Sequence, residues 1–372
     1  MNLLNMVLWA MGWYAHPALY AALAALTLVF SWRPPRNGLS VVLLIGALAA
    51  IALSAPITDW DARSIWFFHA KRIFFDNNLY AQLDNYAGWS HNDYPLLVPA
   101  LAASLAKSVG HWNEVFPRLS VVMVLLPAIL ALGWAMASRA AFNLMATALL
   151  LMGDRLLLNG YMDAVLALYC ACACVLLSRM WERHLGPSTT EDDPQDCVLW
   201  VLVVSNIIFL KNEGLLAALL LWVCALPALW GRWKWLAWSL VPFVLYAVLW
   251  RMPLHLHHIQ GDLFVPGILE RGWGRVRDPA GIQAIAGAVL KHSGLYGVAL
   301  LGAMAWAFRR AQLLRAWPVF AFAALYTLAI VTVYLITPND LTWHLATSID
   351  RTMLTANLCV VAGVLHLAAR RA

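Results

Sequence analysis

Charge is scarce in this sequence. Asp, Glu, Lys and Arg together make up 12% of the 372 residues, against 63% hydrophobic. Soluble domains carry about 25% charged and 45–50% apolar residues, so a soluble globular chain is excluded. The net charge of +6 comes with no basic run. It suits basic cytoplasmic loops and gives no argument for nucleic acid. Glycine-rich phosphate loops, GxSxG and HExxH are absent, which removes the nucleotide-loop, serine-hydrolase and zincin readings. Cysteine is sparse too. Cys170, Cys172, Cys174, Cys224 and Cys359 lie within apolar runs and Cys197 starts one. They read as small packing residues rather than a disulfide framework.

What remains is apolar runs of near membrane-spanning length, from end to end. They define an all-α, polytopic membrane protein, a single integral membrane domain over 1–372. Eleven spans are expected, near 4–32, 39–57, 114–138, 141–153, 158–180, 197–210, 214–230, 235–253, 293–308, 316–337 and 353–368. The first run has no small-residue cleavage site after it and is expected to be a permanent helix. The basic connectors at Arg33/Arg36, Arg139, Arg179/Arg183, Arg232/Lys234, Arg309/Arg310/Arg315 and Arg370/Arg371 fall on one face. By the positive-inside rule that face is the cytoplasm. Two long loops then lie outside: a first periplasmic loop, 58–113, with interfacial helices, and a second, 254–292. The 20 tryptophans fit many membrane–water boundaries.

The outer face gathers the ionisable groups. Asp59 and Asp61 stand where the second span leaves the membrane. Two runs, 141–153 and 197–210, are shorter than the ~20 residues a crossing needs. They end at Asp154 and Arg155, and at "KNEG" with Lys211 and Glu213. Arg118 and Asp163 sit near the start of apolar runs on the same side. The last outer connector adds Asp340, His344, Asp350 and Arg351. Ionisable groups at membrane depth are costly and face a cavity or each other. Each one alone has a plain alternative, snorkelling to the headgroups; the set on one side does not. Carboxylate beside cation suits a reaction in which a hydroxyl is deprotonated and a phosphate departs: Asp accepts the proton, Arg and Lys hold the phosphate. The histidines of "HLHH" (255–258) lack partnered acids and are weak metal candidates. No cofactor or metal is expected, and the sequence gives a divalent ion no support.

"TDWDARSIWFFHAK", "HNDYPLLVPAL", "NGYMDAVLALY", "LKNEGLLAALLL" and "TPNDLTWHLATSIDR" occur in this order. From about residue 40 to 365 the chain resembles bacterial GT-C-type integral membrane glycosyltransferases, relatives of protein mannosyltransferases and lipid A aminoarabinose transferases. The resemblance implies a GT-C-like multi-helix fold with an acidic catalytic motif in its first outer loop. It implies an inverting transfer from a polyprenyl-phosphate sugar to a cell-envelope acceptor hydroxyl, glycan, lipid or protein, at the periplasmic side of the inner membrane. By position, Asp59 or Asp61 is the base. His91 and Asp93 match a His-Pro-Asp-Tyr-Pro stretch, with Asn92 for its proline. Asp163 matches a Gly-Tyr-Ala-Asp position, with Met162 for alanine. Lys211 and Glu213 match Lys-Asn-Glu-Gly; His344 and Arg351 match the last outer loop. The acid pair departs from the mannosyltransferases: it is Asp-Trp-Asp, not adjacent Asp-Glu. The main rival is a transporter or flippase for a lipid-linked or anionic substrate, which would more often show paired repeats and broken midplane helices. A non-catalytic subunit is the other, and it would not need the acids.

Overall fold

The structure is a computed structural model, and it describes residues 1–30, 37–54, 56–83, 87–136, 138–185, 194–261, 266–294, 297, 315 and 317–369. Among them every regular element is helical. Six helices are long and apolar enough to cross a membrane: Phe116–Ala135, Asp163–His184, Asn212–Leu229, Trp233–Leu256, Trp317–Ile336 and Leu341–Ala369. Of the span expected at 293–308 only residues 293, 294 and 297 are described, and the basic pairs Arg33/Arg36, Arg309/Arg310 and Arg370/Arg371 lie outside the described residues.

The run expected as one helix over 4–32 is two, α1 (Asn2–Ala10) and α2 (Pro17–Phe30). Gly12 adopts φ +78° and the amides of Met11 and Gly12 turn back to Leu8 and Trp9. Pro17 opens α2, where its missing N–H costs nothing. α1 is held by polar contacts. The Trp9 indole donates to Ser104, and Ser104 donates to Asn5.

After α3 (Gly38–Leu53), the first long loop packs inward. Ala62–Trp66 winds as a π-turn and continues into α4 (Phe67–Asp76), which buries Phe67, His69, Ala70, Ile73 and Phe74. Residues 97–106 of α5 (Leu97–Val109) are all buried. α1, α4 and α6 (Leu119–Ala135) enclose it. Its apolar surface therefore meets protein, where an interfacial helix would meet lipid.

α7 (Arg139–Gly153) and α9 (Pro194–Ile207) have 15 and 14 residues. At 1.5 Å per residue they span roughly 21–23 Å, short of the ~30 Å hydrocarbon. The segments that follow them, 154–162 and 208–211, carry site residues.

α8 (Asp163–His184) is the central helix, buried from Asp163 to Ser178. α15 (Leu341–Ala369) lies along it. Small residues meet at the contact, Cys174 and Cys170 on α8 with Cys359 on α15, which suits a close approach of the backbones. All six cysteines are buried thiols. At its C-terminal end Arg179 and Arg183 of α8 both pair with the fully buried Asp196 of α9, at 3.0 and 2.8 Å. Arg179 also donates to the Ala135 carbonyl and lies over the Trp134 ring. That part of the expected basic face is thus a lock joining α6, α8 and α9.

α10 (Asn212–Leu229) and α11 (Trp233–Leu256) follow. A π-turn at Ala247–Arg251 precedes Pro253 in α11 and aims Trp250 inward. α12 (Ile268–Val276) lies against the end of α14 (Trp317–Ile336). Its Arg271 and Arg275 donate to the Ile336 and Tyr334 carbonyls, which α14 itself leaves unbonded. α13 (Pro279–His292) runs beside α15, from Leu341 near Gly281 to Asn357, which donates to the His292 carbonyl. The described part of 254–292 is therefore largely helical, though most of its side chains stay exposed.

A candidate active site where four helices meet

The site begins with two tight backbone approaches. A Cβ on Gly160, which has φ +93°, would lie 2.5 Å from the Ala62 Cβ. Only glycine lets the 159–162 turn press against the residue after Asp61. A Cβ on Gly214 would lie 2.0 Å from the Ile207 carbonyl oxygen. Only glycine lets α10 start directly under the end of α9, with Lys211 as its extended N-cap. The glycines of "NGYMD" and "KNEG" thus place Asp163 and Lys211.

These turns bring distant residues together. Lys211 Nζ is 2.9 Å from Asp163 Oδ1 and 3.1 Å from Glu213 Oε1. Arg351 Nη1 donates to Asp61 Oδ2 at 2.6 Å and lies 3.9 Å from Asp163 Oδ2. The guanidinium sits over the Tyr161 ring, 4.7 Å from its centroid. Arg351 Nε and Glu213 Oε2 are buried with no protein partner. Asp163 and Lys211 are buried; Asp61 and Arg351 are partly open.

The charge balance is close. Asp61, Asp163 and Glu213 face Lys211 and Arg351, three against two. Asp163 and Glu213 each stand in the first turn of a helix, and a helix N-terminus contributes roughly half a positive charge. Burial draws the Lys211 ammonium down, but Asp163 and Glu213 more than offset it and hold it well above its usual range. Burial and then Asp61 push the Tyr161 phenol up, partly opposed by Arg351.

Other expected residues form a second ring. Asp59 faces Arg118 and Tyr161 electrostatically, and Arg118 Nε donates to the Leu158 carbonyl at 2.7 Å. Asp93 is buried. Its carboxylate accepts from Asn212, next to Lys211, at 2.6 Å, and its carbonyl accepts from Trp250. His91 stacks on Tyr94 at 4.8 Å, and Tyr94 lies within electrostatic reach of Lys211. The structure thus ties His91 and Asp93 to the cluster through Tyr94 and Asn212.

His344 and Arg351 need a correction. They were expected in a connector before a helix at 353–368. The helix starts twelve residues earlier, at Leu341. Asp340 caps it, accepting from the Trp343 amide at 2.8 Å. Arg351 therefore projects from a rigid helix, about 15 Å along it. His344 lies one turn inside, its ring against Tyr334 and near Glu213.

Sequence reasoning missed Tyr161, Asn212, Tyr94 and Trp250. All but Trp250 sit within the quoted motifs, but only the fold reveals their contacts. No group of three or more His, Cys, Asp or Glu among the described residues is arranged to hold a metal ion. The chain matches no family model, no curated protein and no solved structure.

Proposed function

We propose that this chain is an inverting glycosyltransferase of GT-C type. It moves a sugar from a polyprenyl-phosphate donor to an acceptor hydroxyl on the periplasmic side of the plasma membrane. The observation that carries the reading is the Asp61–Arg351 contact. It sets a carboxylate from the first outer loop against a phosphate-binding type of cation from the last helix, with Lys211 one carboxylate away.

In this reading the donor phosphate docks on the partly open Arg351 guanidinium and on Lys211. Asp61 takes the proton of the acceptor hydroxyl. The acceptor oxygen bonds to the anomeric carbon from the face opposite the phosphate. The carbon–oxygen bond to phosphate breaks, and the leaving polyprenyl phosphate keeps the electron pair beside the two cations. Asp163 and Glu213 hold Lys211 in place, and Tyr161 supports the guanidinium from below.

The experiment is single-turnover sugar transfer from a polyprenyl-phosphate sugar by the purified chain in nanodiscs. Sugar release that depends on Asp61 supports the reading. Movement of the lipid-linked sugar between leaflets, with no release, overturns it in favour of a flippase.

A further inference from the structure

Two tryptophans stand exposed beside this site. Trp60, between Asp59 and Asp61, is 68% exposed, and Trp89 is 57% exposed. Their ring centroids are 6.0 Å apart with planes at 43°. Neither ring is a loose flag. Phe68 backs Trp89 at 6.2 Å. Trp89 sits in the tight turn Gly88–Ser90, where the Ser90 hydroxyl donates to the Ala87 carbonyl and bonds Asn92. The Trp60 carbonyl accepts from Ser64 at 2.6 Å, fixing the backbone from which the indole projects.

Exposed indoles in a membrane protein usually meet headgroups. The surroundings here are of another kind. Trp60 is flanked by two carboxylates and followed by the exposed Arg63. Asp59, Asp61 and Asn92 are each partly open, while Ser90 and Asp93 turn inward. An apolar ring face edged by carboxylates and amides fits a ligand with one apolar C–H face and a rim of hydroxyls. That is a pyranose. Binding sites combine apolar or aromatic walls with a few placed polar groups in the same way.

We infer that Trp60 and Trp89 form a carbohydrate subsite, so that the acceptor is a glycan. The acceptor role rests on the transferase reading; the binding itself does not. A sugar stacked there has its hydroxyls beside Asp59 and Asp61. The acceptor can then present one hydroxyl to the base while its neighbouring rings lie on the indoles, outside the buried cluster.

The full chain in nanodiscs is applied to an array of bacterial cell-envelope oligosaccharides, and sugar release from a polyprenyl-phosphate sugar is measured in parallel. The wild type should bind glycans. The double change Trp60→Ala/Trp89→Ala should weaken binding at least about tenfold, as for aromatic anchors elsewhere. Trp60→Phe/Trp89→Phe should keep most of it, since a ring face remains. Trp230→Ala/Trp233→Ala, exposed indoles at the α10–α11 connector, should change nothing. A wild type that binds no glycan overturns the subsite. So does an alanine pair that binds as the wild type does. Glycan binding lost in the alanine pair, with no sugar release by the wild type, leaves the subsite standing and removes the transferase.

Discussion

Asp61 and Arg351 are 290 residues apart in the chain and 2.6 Å apart in space. Both are partly open, with 22% and 17% of their side chains exposed. A partly desolvated, charge-assisted contact of this kind is stronger than a surface pair. Its geometry also matters for binding. The same Nη1 that meets Asp61 points near Asp163, while Nε is left over. A phosphate that engages the guanidinium must therefore do so at its open part, in competition with Asp61.

Arg351→Ala is expected to weaken donor binding about 10- to 100-fold, the worth of one or two hydrogen bonds to a charged group. Acceptor KM should move far less. Equilibrium binding of a polyprenyl-phosphate sugar to detergent-solubilised protein gives the first number. Equal donor affinity in wild type and variant would remove Arg351 from the phosphate site.

Lys211 and Asp163 are a buried pair. Lys211→Met takes the shared ammonium from both Asp163 and Glu213, at a cost of about 3–5 kcal/mol; Asp163→Asn leaves Lys211 with Glu213 and should cost less. Both should lower the thermal unfolding midpoint, Lys211→Met the more. The double change should cost clearly less than the sum, because the carboxylate at 163 that Lys211→Met deprives of its ammonium is then gone. Additive losses in differential scanning fluorimetry would show that the two are not coupled.

How much of this was legible beforehand differs by residue. The residue types and their order were visible: Asp61, Asp163, Lys211 and Arg351 each stood in a short polar stretch ending or starting an apolar run. Their pairing was not. Periodicity places a residue on a helix face, but it does not say that α8 meets α15. The start of α15 was misread because polar residues fill its first three turns. A helix longer than the hydrocarbon needs no apolar outer end. The break after α1 was written in Gly12 and Pro17, yet an apolar run on both sides outweighed them.

Gly214 supports a third prediction. Its missing Cβ would sit 2.0 Å from the Ile207 carbonyl oxygen. That neighbour is backbone and cannot rotate away. Gly214→Ala should move Lys211, cost about 1–3 kcal/mol in strain, and lower activity at least severalfold. Gly46 of α3 has open space around it, so Gly46→Ala should be neutral or stabilising by up to about 1 kcal/mol. Similar behaviour of the two variants would contradict the packing argument.

His69 provides a pH signature. Burial holds its imidazole down to about 3, against the opposing hydrogen bond with Asn92. In the unfolded chain the value is about 6.5. Between these values the unfolded state binds a proton that the folded state refuses. Stability is therefore full above about pH 6.5 and falls as the pH drops toward 3. Near pH 5 the loss is about 2 kcal/mol. His69→Gln cannot titrate, so its unfolding midpoint should fall less between pH 7 and 5 than that of the wild type. Parallel pH profiles would refute the assignment.

The last prediction concerns the two acids that flank Trp60. Asp61 is the better candidate base, because it alone of the pair contacts the guanidinium expected to hold phosphate. A proton acceptor must lie within hydrogen-bond reach of the attacking hydroxyl, and that hydroxyl must lie close to the phosphate-bearing carbon. Asp59 faces Arg118 and Tyr161 instead, a position from which it can orient the acceptor. Asn keeps the shape of either side chain and removes its basicity. Asp61→Asn should lower the single-turnover transfer rate about 10²–10⁴-fold. Donor affinity should not fall, because Arg351 loses a competitor for its Nη1. Asp59→Asn should act mainly on acceptor KM. If instead Asp61→Asn transfers at the wild-type rate and Asp59→Asn does not, the roles are reversed. If both variants lose transfer together with donor binding, the acids serve the donor, and the base must be sought elsewhere in the cluster, with Asp93 and Asp163 as the next carboxylates to change.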